Sequence, residues 1–199
     1  MPIFIEIGCQ RVQQCAQSAS TLTSLIRAAI PADAGRLVAL IRAAYRGTVS
    51  RNGWTSEADL VGGDRIDVER VLSILGGPKS MMLVVEQGDD LIACCQLEDR
   101  GNNQGYFGTF AVSPYAQGAG LGRRLVTAAQ RQAVLRYGSS VLEMTVLAQQ
   151  ENLIAWYERL GFRRTGETRP FPADPIYARP LREGLYFVVL VKRLPEPPR

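Results

Sequence analysis

The chain has 199 residues, 46% of them hydrophobic, which suits one globular domain with a sizeable core. Its formal charge of +4 comes almost wholly from arginines scattered along the chain; no basic stripe is interleaved with aromatics, so nucleic acid is not an expected partner. Histidine is absent, which excludes Ser-His-Asp and Cys-His catalysis, and Cys9, Cys15, Cys94 and Cys95 form no CxxC pair, so neither a metal site nor a disulfide framework is expected.

No apolar run approaches the ~20 residues that cross a bilayer. The opening MPIFIEIGCQ lacks a basic region, so no secretory signal and no membrane partner are expected, and the cytoplasm is the default compartment. Residues 1–24 are polar and without clear period, and read as an N-terminal tail; residues 25–195 read as one domain. LIRAAI leads into Pro31, which suits a first helical turn capped nearby by Asp33, with a short strand near Ile26 as the other reading. Leu37, Leu40, Ile41 and Ala44 then recur at helical spacing, and residues 46–64, rich in Gly, Ser, Asn and Trp, read as a loop with room for one helical turn. Ile66, Val68, Val71, Leu72 and Leu75 predict a second helix, stopped by Gly76-Gly77-Pro78.

Three strands follow as an antiparallel meander: MMLVVEQ, LIACCQLED after Gly88-Asp89-Asp90, and GYFGTFAV after Gly101-Asn102-Asn103. A long helix is predicted from about Gln117 to Arg136, with Leu121, Leu125, Ala128, Ala129, Gln132 and Leu135 on one face. VLEMTVLA reads as a strand, ENLIAWYERL as a helix closed by Gly161, FRRTGET as a strand, and GLYFVVLVKRL as a last strand beyond a Pro-rich loop. The fold class is α/β (α+β).

The densest signal is FAVSPYAQGAGLGRRL, at a strand-to-helix junction. Glycines 118, 120 and 122 clear side chains from the helix mouth, so backbone N–H groups and the helix dipole can meet an anion, with Arg123 and Arg124 adding charge. A pyrophosphate suits that geometry. A dinucleotide site is disfavoured, because the Gly-x-Gly-x-x-Gly order is broken and Glu143, about 20 residues on, lies inside a strand.

Val112-Ser113-Pro114 followed by Gln117-Gly118-Ala119-Gly120-Leu121-Gly122 resembles the coenzyme A motif of the GNAT N-acetyltransferases. Roughly 35 residues later, Tyr157-Glu158-Arg159-Leu160-Gly161-Phe162 resembles that family's second motif. The resemblance implies a mixed central sheet with helices on both faces, acetyl-CoA as acetyl donor, and a primary amine of a small molecule or peptide as acceptor; homodimers are common in the family. It further implies that Phe110, Ala111 and Val112 offer main-chain hydrogen bonds to the pantetheine arm and thioester, that Gln117, Gly118, Ala119, Gly120, Leu121, Gly122 and Arg123 cradle the pyrophosphate, and that Tyr157 protonates the departing thiolate. Gln150 stands where many relatives carry an asparagine that contacts the cofactor.

No carboxylate occurs in YFGTFAV, where many relatives place a general base. Glu143 is the leading candidate, with a structural salt bridge as its other reading; Glu98, a water chain and deprotonation in solution are the alternatives. The acceptor site is expected between GTVSRNGWTSEADL and ETRPFPADPIYARP, with Trp54, Glu57, Arg169 and Phe171 as candidate contacts. An arginine there favours an acceptor with a carboxylate; a glutamate favours a polyamine or holds the amine directly. A domain that binds CoA without chemistry is the alternative function.

Overall fold

The computed structural model describes residues 24–172 and 174–195. In chain order these form β1 (Leu25–Ala28), α1 (Ala34–Tyr45), α2 (Gly47–Ser50), β2 (Val61–Gly62), α3 (Val68–Gly76), β3 (Ser80–Gln87), β4 (Asp90–Asp99), β5 (Gln104–Val112), α4 (Leu121–Tyr137), β6 (Val141–Leu147), α5 (Glu151–Arg159), β7 (Arg163–Pro170), β8 (Arg179–Pro180) and β9 (Tyr186–Arg193). One 7-stranded sheet carries the order β1-β3-β4-β5-β6-β9-β7, and β2 pairs with β8 in a separate two-stranded piece. Only the β5–β6 pair is parallel; α4 makes the crossover between them. The predicted tail lies outside the described residues apart from Ser24.

Strand alternation builds a core on each face of the sheet. On β3, Met81, Leu83 and Val85 turn toward Leu125, Ala129 and Ala133 of α4 and Ile154 of α5. Met82 and Val84 turn the other way, toward Leu37 and Ile41 of α1 and Val71 of α3. Helices therefore cover both faces, as the resemblance implies. Asp67 caps α3 by accepting from the Arg70 N–H at 2.8 Å. Among the described residues no helix is long and apolar enough to cross a membrane.

The short strand expected near Ile26 is present, since residues 25–28 pair antiparallel with β3, at Leu25–Glu86 through Ala28–Leu83, and Pro31 opens a single 3-10 turn over Pro31–Asp33. Two local expectations are corrected. Helix α4 begins at Leu121 rather than Gln117, because Gly118 and Gly120 take φ of 90° and 76°, outside the helical region. Its buried residues are Leu121, Leu125, Val126, Ala129, Ala133 and Val134, while Leu135 is 59% exposed.

Asp33 does not cap α1 with its side chain. It is fully buried instead, taking Arg27 at 2.7 Å and 3.0 Å, Arg36 at 2.5 Å and the Ile30 N–H at 2.9 Å. The Arg27 guanidinium, against the cost of burial, holds its carboxyl well below the usual carboxylate range. Asp33→Ala is expected to lower stability by about 3 kcal/mol, the low end for breaking a buried pair because both arginines keep Glu86. Since the folded-state pKa is depressed, this contribution is present above an unfolded value near ~3.9 and is lost as pH falls below it. Urea unfolding across acid pH checks this: the wild type should lose stability there more steeply than the variant.

Candidate active site

β5 and β6 pair only from Gln104–Val141 to Tyr106–Glu143 and then part. A β-bulge drives the parting. Across it Cys94 faces Ala111 and Gln96 faces Gly108, so β5 carries one extra residue, and Thr109 adopts φ 43°. Beyond the bulge, residues 107–112 of β5 and 144–147 of β6 line a wedge that opens into a cavity of about 660 Å³. Ser113 N–H reaches Ile92, so ladder alternation turns Val112 away from β4. Its C=O is taken by Gln117 Nε2 at 3.3 Å, and its N–H faces the wedge.

The mouth of α4 forms one end of this cavity, through Gln117, Gly118, Gly120, Leu121, Gly122 and Arg123. Arg124 is the first residue whose N–H finds a helical acceptor, the Gly120 C=O at 3.1 Å. The N–H groups of Leu121, Gly122 and Arg123 have no acceptor among the described residues, and no side chain caps the helix. A Cβ added at Gly118 or Gly120 would meet only open space, so the volume in front of these amides is clear. At Gly122 it would stand 3.3 Å from the Phe110 ring, and glycine there allows close packing. An anionic diphosphate fits this mouth. Ala119 is not on the cavity wall, and Gln117 is engaged at both ends of its amide, with Val112 C=O and with the Trp54 N–H at 3.1 Å.

Tyr157, on α5, is almost wholly buried yet lines the cavity, and its hydroxyl has no hydrogen-bond partner among the described residues. Trp156 at 4.9 Å, Phe162 at 5.7 Å and Phe110 at 6.2 Å fix the ring edge to face. Burial pushes its pKa well above the usual phenol value, so it is a neutral donor at physiological pH. Burial also pushes the Cys94 thiol up to about 12 and Cys95 well above its ordinary value. Neither cysteine reaches the cavity wall, so neither serves as a nucleophile.

The remaining wall comes from the end of α1, the loop after it and the segment before β9. Trp54, Glu57 and Phe171 lie on it, with Thr145 and with Tyr45, Arg46, Arg65 and Tyr106, which carry no motif in the sequence. Glu57 is the only carboxylate on the cavity wall among the described residues. Arg46 holds its Oε2 at 2.6 Å. The Tyr45 hydroxyl donates to Phe110 C=O at 2.9 Å and so ties α1 to the bulged stretch of β5.

A sequence profile described as the acetyltransferase (GNAT) family matches residues 34–162, well over half of the chain. The chain belongs to the GNAT acetyltransferase family. Solved structures agree on the fold. The ribosomal-protein-S18-alanine N-acetyltransferase of Escherichia coli superposes with a TM-score of 0.65 at 16% identity, over 89% of this chain and 97% of that one. The yncA protein of Salmonella typhimurium, solved with its cofactor acetyl-CoA, gives 0.61 at 20% identity over 89% and 97%. A spermidine N-acetyltransferase SpeG chimera from Vibrio cholerae and hSSAT gives 0.62 at 14% over 85% and 95%. No curated protein matches the sequence.

Within this GNAT domain three expected site residues besides Ala119 stand away from the cavity wall. Glu143 is 5% exposed and takes Arg169 at 2.8 Å and 3.1 Å, Arg100 at 3.0 Å and Gln104 at 3.0 Å. Four donors occupy the acceptor sites of its two oxygens. Arg169 is the counterpart of that pair and also binds Glu167, so it pins β7 to β6 rather than facing an acceptor. Gln150 donates to Ser56 C=O at 2.9 Å and fastens the loop after α2. Glu98, the other candidate base, is also not on the cavity wall.

Proposed function

We propose that this GNAT domain is an N-acetyltransferase that passes the acetyl group of acetyl-CoA directly to a primary amine of a small molecule or peptide. One observation carries the proposal: a single cavity joins the unpaired amides at the α4 mouth, the Tyr157 hydroxyl and the lone carboxylate of Glu57. A diphosphate at the mouth of α4 and a pantetheine arm along Phe110–Val112 direct a thioester into the wedge between β5 and β6.

The chemistry follows from these groups. The amine loses a proton, for which Glu57 Oε1 is the available acceptor on the wall, directly or through water. Its nitrogen lone pair forms the N–C bond, and negative charge gathers on the former carbonyl oxygen, which main-chain N–H groups of bulged β5 stabilise. The nitrogen, cationic after its attack, gives up a second proton to water, the C–S bond breaks and the electron pair goes to sulfur. Tyr157 meets that charge with its O–H. Its raised pKa makes full transfer to a thiolate, whose acid lies near ~8.5, uphill; donation of a strong hydrogen bond with later reprotonation from solvent is the consistent role. Among the described residues no thiol reaches the cavity wall to compete as an acyl carrier, which favours direct transfer in a ternary complex.

The test is calorimetry with acetyl-CoA followed by thiol release over an amine panel. Binding with amine-dependent thiol release supports the reading. Binding without release from any amine favours the binding-only alternative, and absence of binding removes both.

A further inference from the structure

Resting on that acetyltransferase reading, we infer that Arg65 is the anchor for a carboxylate carried by the acceptor, so that the acceptor is an amino acid or a close analogue bound through both of its charged ends.

Three arginines line the cavity, and two are accounted for. Arg46 is paired with Glu57, and Arg123 sits on the first turn of α4 at the diphosphate end. Arg65 has no ion pair with any described carboxylate. Its guanidinium lies over the Tyr45 ring, 4.7 Å from the ring centroid, which orients the flat face by cation–π attraction, and no described carboxylate takes its N–H groups. A half-buried guanidinium without an anion is costly unless something brings one.

The backbone is bent to hold it there. Arg65 has φ 65°, a left-handed conformation uncommon outside glycine and asparagine, and the turn is closed by Ile66 N–H to Asp64 C=O at 2.7 Å. The turn is clamped on its N-terminal side. Asp64 N–H reaches Ile176 C=O at 2.8 Å, and a Cβ at Gly63 would come within 2.4 Å of that same oxygen, so only glycine fits. Asp64 itself is turned outward to Arg42 at 3.0 Å and does not neutralise Arg65. Strain of this kind survives where the surroundings impose it and often marks a binding site.

Arg65 and Glu57 supply opposite charges on one wall, close enough to act on each other through space without pairing. An amine that also carries a carboxylate satisfies both: ammonium toward Glu57 Oε1, carboxylate on the guanidinium fork. A polyamine leaves Arg65 unmatched and is repelled by it. Phe171 and Phe187, 5.7 Å apart, with Trp54, form the apolar remainder of the wall, which accommodates an uncharged side chain.

The experiment compares apolar amino acids, their carboxamides and spermidine as acceptors, reading kcat/KM by thiol release in the wild type, Arg65→Gln and Arg65→Gly. Glycine adopts the required φ without strain, so the second variant guards against misfolding, and a thermal melt confirms both. The wild type should favour an amino acid over its carboxamide by about 10–100-fold, the scale of hydrogen bonds to a charged group, and that ratio should approach one in both variants. A wild-type ratio near one, a preference for spermidine, or a ratio that persists in both variants overturns the inference. Calorimetry separates the layers. Acetyl-CoA uptake without amino-acid selectivity sinks this inference alone, whereas no uptake of acetyl-CoA sinks the acetyltransferase reading and this inference with it.

Discussion

Tyr157→Phe is expected to lower kcat by about 10²–10³-fold, the usual worth of one preorganised donor to developing charge, with affinity for acetyl-CoA nearly unchanged. The variant keeps the ring, so the edge-to-face contacts with Trp156 and Phe162 persist and the fold loses little. In the proposed mechanism it removes the O–H that meets sulfur as the C–S bond breaks. Because that interaction exists only once charge develops, the loss should fall on kcat rather than on ground-state binding. The pH dependence carries a second check. Burial holds the phenol protonated well above its ordinary value, so from about pH 6 to 10 Tyr157 contributes no alkaline limb, and the wild-type and variant profiles should run parallel. Single-turnover rates that match between the two proteins would remove Tyr157 from the chemistry; a variant profile of different shape would show that the phenol titrates after all.

The strands and their partners were legible because their pattern and their punctuation agree. In β3 and β4 the apolar run is interrupted by Gly88-Asp89-Asp90, and the hairpin lies there; Gly88 takes φ 60° in the turn. Register within the run was less accessible, since Met81 to Val85 are apolar on both faces and either alternation fills a core. Helix α4 shows the limit of periodicity alone. Both Leu135 and Ala133 fit an apolar face, and packing chose the alanine, with the i, i+4 row of Leu121, Leu125, Ala129 and Ala133 against the sheet. Small residues there bring the helix close, and the leucine is left outside.

The open mouth of α4 was readable because glycine chemistry is local: a helix mouth free of side chains is a property of a few consecutive residues. The acceptor end was not, because it depends on contacts between distant segments. Glu143 and Arg169 look like isolated charges 26 positions apart, and only the pairing of β6 and β7 with β9 makes them partners. Arg65 went unnoticed for the opposite reason. It falls just after a loop, carries no motif, and its positive φ is imposed by the anchoring of Asp64 to Ile176 more than one hundred residues away. Thr109 is similar: no turn residue announces its bulge, yet that bulge helps open the wedge between β5 and β6.

Glu57→Gln is expected to reduce kcat/KM at neutral pH by about 10²–10⁴-fold if the carboxylate takes the proton from the amine. Glutamine preserves an oxygen for Arg46, which otherwise loses the 2.6 Å partner that positions it, so the wall keeps its shape. The decisive reading is how the deficit changes with pH. An acceptor that already loses its proton in solution has no need of a protein base, so the gap between variant and wild type should shrink as pH rises toward the amine's own pKa. A deficit that stays constant across that range would mean that Glu57 holds the ammonium in place and does no proton transfer. Glu143→Gln supplies the contrast. Its carboxylate is engaged by Arg100, Arg169 and Gln104 away from the cavity wall, so the variant should melt at a lower temperature while the shape of its pH–rate profile stays that of the wild type. A profile displaced by Glu143→Gln and untouched by Glu57→Gln would reverse the two roles, since a base must lie within reach of the proton it removes, and Glu57 is the one carboxylate on this wall among the described residues.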